Sequence, residues 1–188
     1  MDIFDKVISV NDNIKEEDKE LYKYGLRQGL FIIINILTTI VLGYIFKNVW
    51  AVVIFTIAYS PLRVYAGGYH TKTQLRCYIF SMFLTIAVIY ANRYIPGTSQ
   101  NIIIITIISC ITVFSLSPVE DRNKPLDKVE KAVYRKRSLY VLLIEVILIA
   151  LLLGIGSKRI ALPVSISLLA LSLMLIAGKI KNSLEAKS

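Results

Sequence analysis

Residues 63–77 read RVYAGGYHTKTQLRC and hold the chain's one histidine, His70, and one of its two cysteines, Cys77. A free thiol near pKa 8.5 is mostly protonated at neutral pH, and a histidine within reach can take or share its proton to make a nucleophile. On one continuous helix, Cα atoms 70 and 77 would be separated by about 10 Å of rise, beyond hydrogen-bond reach. A working pair therefore needs the histidine to fold back. Gly67 and Gly68 supply backbone that tolerates positive φ just before His70. Cys77 falls at the predicted start of an apolar helix, whose amino terminus favours a thiolate. The same residues also read as an ordinary turn, an interfacial histidine and a small side chain packed at a helix end.

Arg63 could hold a substrate carbonyl, a carboxylate or a developing oxyanion, or be an ordinary arginine at the membrane border. Glu145 lies inside an apolar segment, where an ionisable group is costly. It would either bond a neighbouring helix or orient His70 as the third member of a triad. One histidine and two cysteines, with Cys110 deep in another apolar segment, do not make up a four-ligand zinc site, so neither metal nor cofactor is expected. A Cys77–Cys110 disulfide is disfavoured, since one thiol is predicted at a reducing face and the other inside the bilayer.

The elements that must position these residues are apolar. The chain has 188 residues, 55% of them hydrophobic, with a mean hydropathy of +0.62. That composition fits an all-α, polytopic integral membrane helical bundle rather than a soluble domain. The apolar blocks are Leu30–Phe46, Val49–Leu62, Tyr78–Ile95, Ile102–Ser117, Leu139–Ile155 and Ile160–Ala177. A straight span needs about 20 residues and several blocks are shorter, so about six transmembrane or partly re-entrant helices are expected, the short ones re-entrant or bordered by locally thinned lipid. No repeat or linker divides them. The reading is one membrane-embedded domain over 1–188, with a leader at 1–29, the bundle at 30–178 and a tail at 179–188.

Outside the blocks, Ile3, Phe4, Val7 and Ile8 would suit a short helix on the inner leaflet or belong to a plain polar leader. No secretory signal is evident. Residues 14–29, capped by Asn13, could form a helix running into the first span. Pro61 is expected to end or kink the second span. Pro96-Gly97 and residues 154–157 read as tight turns, with Pro163 in the first turn of the sixth span.

Lysine and arginine set the orientation. Five lie in residues 1–29, three in 63–76, seven in 118–138 and three after 178, against Lys47, Arg93, Lys158 and Arg159 on the other side. Eighteen against four predicts that both termini and both long loops face the cytoplasm. Topology thus explains most of the +9 net charge, and no basic-aromatic motif points to nucleic acid. The loop SPVEDRNKPLDKVEKAVYRKR combines two stiffening prolines with Lys128, Lys131, Arg135, Lys136 and Arg137. Such a run could grip an acidic peptide or anionic lipid.

Arg63, Gly67-Gly68, His70 and Cys77, followed by Ser117-Pro118 and Asn123-Lys124-Pro125-Leu126, resemble the accessory gene regulator protein B family of Gram-positive bacteria. The resemblance covers nearly the whole chain. It implies a membrane cysteine endopeptidase that processes the precursor of a cyclic autoinducing peptide in quorum sensing and virulence regulation. Cys77 would be the nucleophile and His70 its base. By the same resemblance Arg63, Gly67 and Gly68 support the site, and the loop with Pro118, Asn123, Lys124 and Pro125 completes it or receives substrate. The implied partners are a precursor with an amphipathic helix and an acidic tail, the lipid membrane and a second copy of the chain. The implied location is the bacterial cell membrane, with the site facing the cytoplasm. The contrasting class is a non-catalytic membrane protein that binds or exports a small peptide; it would tolerate a change at Cys77 that a peptidase would not.

Overall fold

The structure, a computed structural model, describes residues 19–69, 71, 73–120 and 126–185. The candidate leader helix, Asn13, His70, Asn123, Lys124 and Pro125 lie outside the described residues. Among the described residues there are six helices and no strand: α1 Lys19–Ile45, α2 Val49–Ala66, α3 Gln74–Tyr94, α4 Ser99–Leu116, α5 Lys128–Gly154 and α6 Lys158–Glu185. Each is long and apolar enough to cross a membrane, which makes this a multi-pass membrane protein. Every expected block lies in one continuous helix or overruns its end by a single residue, at Phe46, Ile95, Ser117 and Ile155, so each described span is unbroken.

Polar caps set several helix starts. Thr73 accepts from the Arg76 amide (3.3 Å) ahead of α3, and Thr98 from the Asn101 amide (3.3 Å) ahead of α4. Asp127 and Glu130 form a reciprocal capping box at α5, with Glu130 N donating to Asp127 Oδ1 at 2.7 Å. The box moves a boundary. Most of the expected loop 118–138 is helix, because Lys128–Arg137 form the opening turns of α5. Hydropathy finds only the lipid-facing part of such a helix, whereas the backbone needs only a cap and residues that tolerate helix. For the same reason α6 continues past Ala177, and residues 19–29 are already helix, in line with the expected helix running into the first span.

Pro61 does not end α2, which continues to Ala66, and Pro163 lies in the second turn of α6, since that helix starts at Lys158. The tight turns fall as expected at 46–48, 95–98 and 155–157, the last with Gly156 at φ 77°.

α6 is the centre of the bundle. Of its most apolar stretch 72% is buried, against 11–28% for the other helices. It packs against α2, α3, α4 and α5, while α1 lies outside against α2 and α3. Small residues permit the close approach. Ser165, Ser167 and Ser172 turn their hydroxyls back onto the helix's own carbonyls at 2.7–2.9 Å, so these positions are narrow without leaving a hydroxyl unsatisfied. The long connections 67–73 and 117–127 meet at one end of the bundle, together with the start of α5 and the end of α6.

Candidate active site

The two glycines take the conformations the sequence predicts, φ 72° at Gly67 and φ 120° at Gly68. A short parallel bridge then ties this turn to the other long connection. Gly68 N donates to Val119 O at 3.1 Å, and Val119 N donates to Ala66 O at 2.9 Å. Tyr69 N reaches the central helix and donates to Met174 O at 2.9 Å. The turn lies so close to α6 that a Cβ on Gly178 would stand 2.7 Å from Gly68 C and 2.8 Å from Tyr69 N. Sequence reasoning missed Gly178. A glycine in the interior of an apolar helix was the available signal for a close backbone crossing.

Arg63 braces the turn from α2. Its Nη1 donates to Gly67 O and its Nη2 to Tyr69 O. The guanidinium is thus committed to the backbone carbonyls of Gly67 and Tyr69. The Tyr69 ring sits 5.4 Å from the Phe80 ring of α3 and 5.5 Å from the Lys181 ammonium of α6. Backbone and ring together fix the residue before His70 against three helices.

Cys77 is exposed and lies in the first turn of α3, its amide donating to Thr73 O at 3.0 Å. It lines a cavity of about 350 Å³ between α1, α2 and α3. The α1 wall includes Gln28, Asn35 and Thr39, a spacing that keeps one helical face inward. The α3 wall includes Gln74, Cys77, Ser81 and Thr85 in the same rhythm, and α2 adds Thr56 and Tyr59. Gln74 Nε2 donates to Gln28 Oε1 at 3.0 Å and joins α1 to α3. None of the described residues lining this cavity carries a charge. Sequence reasoning missed this cavity: uncharged amides and hydroxyls at turn spacing mark a shared face on each helix but not which helices meet.

The loop is held at both of its described ends. Pro118 is half-buried between Ser117, whose Oγ shares a 2.6 Å hydrogen bond with Ser138 Oγ, and Val119 in the bridge. Arg135 Nη1 donates to Ser117 O at 2.8 Å and its Nη2 to Phe114 O at 3.3 Å, so it satisfies carbonyls at the end of α4. Glu120 accepts from Leu126 N at 3.1 Å and pairs with Lys131 at 3.2 Å, and Asn182 of α6 donates to Glu120 O at 2.8 Å. The Leu126 amide and the Lys131 ammonium hold the Glu120 carboxyl below its ordinary pKa. Much of the basic run therefore has structural work, with Lys136 over Tyr140 and Arg137 over Tyr65.

Glu145 is placed elsewhere. It is buried on α5, with Ser167 Oγ of α6 donating to its Oε2 at 3.5 Å. Seven residues, or about 10 Å of rise, separate Ser167 from Met174, where Tyr69 is anchored. Cys110 is a free thiol packed against the core from α4.

A family model described as Accessory gene regulator B matches residues 2–176 of this chain. The chain belongs to the accessory gene regulator B family. Membership connects it to the accessory gene regulator system. An AgrB-like protein of Clostridium perfringens strain SM101 is 29% identical over 162 residues, covering 79% of this chain and 75% of the relative. AgrB-like protein 2 of C. perfringens strain 13 is also 29% identical, over 175 residues, covering 86% and 81%. No solved structure matches the chain. The match to this AgrB-family model takes in both connections that meet at the bridge, as well as all of α1 to α5.

Proposed function

We propose that the protein is a membrane cysteine endopeptidase that cleaves a quorum-sensing signal precursor and promotes closure of its ring. The observation that carries the reading is Cys77 in the wall of an uncharged cavity, close in sequence to a Gly67–Tyr69 turn clamped from α2, α6 and Val119. A fixed Tyr69 limits where the next residue can go, which suits His70 as a base. Cys77 thiolate attacks the scissile carbonyl, a C–S bond forms, the C–N bond breaks and His70 delivers a proton to the leaving amine. The acyl half stays on Cys77 as a thioester. An internal thiol or hydroxyl of the precursor then attacks that thioester, closes a thiolactone or lactone and releases Cys77.

Ring closure must outrun hydrolysis, and a reaction centre walled by membrane helices keeps water scarce. The substrate of this reading carries an amphipathic helix on the inner leaflet and an acidic tail, the latter drawn toward the basic end of the bundle. The enzyme works in the cell membrane, as a homodimer, with its site on the cytoplasmic side. Asn123, Lys124 and Pro125 help complete the site or receive substrate in this reading.

The test is co-expression with the precursor and mass spectrometry of the released tail and cyclic product. Cys77→Ala and Cys77→Ser each abolish both products, and His70→Ala lowers them by about 10²- to 10⁴-fold, the usual range for a positioned acid–base group. Processing retained in both Cys77 variants would overturn the peptidase and favour a peptide binder or exporter.

A further inference from the structure

The cavity beside Cys77 has a direction. Its mouth is marked by the Gln28–Gln74 hydrogen bond and its far end by Thr39 and Thr85, both buried. Gln28 to Thr39 and Gln74 to Thr85 are equal steps along two helices that run the same way, so the cavity follows them for about 16 Å. Cys77 stands one turn from the mouth. Amides and hydroxyls at Asn35, Ser81 and Thr56 punctuate an otherwise apolar wall, which can satisfy peptide N–H and C=O groups but repels a carboxylate held away from water.

Cys77 is itself exposed, and none of the described residues lining the cavity beside it carries a charge. From this uncharged lining alongside Cys77 we infer that the α1–α2–α3 cavity is the acyl site, binding the uncharged peptide segment on the amino side of the scissile bond and holding it while it is bound to Cys77 as a thioester. Asn35 and Ser81 are its specificity-determining residues. The inference rests on the peptidase reading for its biological substrate, but the cavity can be probed without cleavage.

The experiment uses full-length Cys110→Ala protein in nanodiscs and three alkylating probes: chloroacetamide, an acetyl-Leu-Phe chloromethyl ketone, and a ketone carrying three aspartates in place of the apolar residues. In each reaction a Cys77 Sγ–C bond forms and chloride leaves. The peptide of a ketone can occupy only the acyl side. The apolar ketone is expected to label Cys77 at least about tenfold faster than the aspartyl ketone, the discrimination a few buried groups provide. Asn35→Trp, which fills the cavity from α1, and Ser81→Phe, which fills it from α3, should each remove that preference when both ketone rates are divided by the same variant's chloroacetamide rate. Equal rates for the two ketones, a preference that survives both filling variants, or a Cys77 closed to chloroacetamide would overturn the acyl site. Processing of the precursor by wild-type protein, lost in Cys77→Ala, reports separately on the peptidase, so the two ideas fail independently.

Discussion

At the scale of single residues, the site depends on contacts that leave no room for a methyl group. Gly67 and Gly68 have positive φ, and a Cβ on Gly68 would also meet Arg63 Nη1 at 2.7 Å and Met174 O at 3.0 Å. Gly178 has ordinary helical backbone, so its constraint is purely the neighbouring chain. This separates packing from propensity. Gly178→Ala and Gly29→Ala both replace a helix-interior glycine, a change worth up to about 1 kcal/mol in favour of helix. Nothing lies within 4 Å of a Cβ at Gly29. Gly29→Ala should therefore leave precursor processing intact and raise thermal stability slightly. Gly178→Ala should push the Gly68–Tyr69 backbone off α6 and lower processing by about 10²-fold, the scale of a 1 Å misplacement of catalytic groups. Equal processing in the two variants would mean that the turn is not a positioning element.

At the scale of elements, the 117–127 connection and α5 act together through Glu120. Its carboxylate accepts from Leu126 N and Lys131 and is held below its ordinary pKa. A carboxyl with a lowered folded pKa stabilises the fold above its ordinary value, and that contribution disappears as pH falls through the folded value. For a partly exposed pair the size is at most about 1 kcal/mol. Hydrogen exchange of residues 126–131 should thus show protection at pH 7 that declines toward pH 3. Asp127 and Glu130 of the capping box titrate in the same region, so the difference between wild type and Glu120→Gln isolates Glu120; no difference at pH 7 would remove it from the closure. Much at this scale was legible in the sequence. Apolar blocks located all six helices, because lipid demands continuous apolarity, and Gly67-Gly68 announced a turn, because few other residues adopt that backbone. Residues 19–29 were read as a helix running into the first span, but the extension of α5 to Lys128 was not legible, since hydropathy is blind to a helix once it leaves the hydrocarbon. Nor was the cavity, because the rhythm of Gln28, Asn35 and Thr39 says which residues share a face but not that the face meets α3. Arg63 was singled out by the family resemblance, its residue type leaving a substrate contact and an ordinary border arginine both open, and its commitment to two backbone carbonyls needed the folded turn.

At the scale of the whole molecule, charge and geometry agree on a two-sided protein. The end that carries the Gly67–Gly68 turn, Cys77 and the 117–127 connection is also the end where the basic residues gather, while the opposite end is closed by the three tight turns. Eighteen lysines and arginines against four is the bias on which the proposed cytoplasmic orientation of the site rests, the side where a newly made precursor would be available. Two exposed apolar positions report on this without touching the site: Ile155 in the turn between α5 and α6, 77% exposed, and Val129 in the first turn of α5, 72% exposed. In a Cys77→Ser, Cys110→Ala background, Ile155→Cys should react with a membrane-impermeant maleimide on intact cells. Val129→Cys should react only after the membrane is permeabilised. The reverse pattern would place Cys77 and the basic connection outside the cell and leave a cytoplasmic precursor without access to the nucleophile, so the proposed reaction would have to follow export rather than precede it.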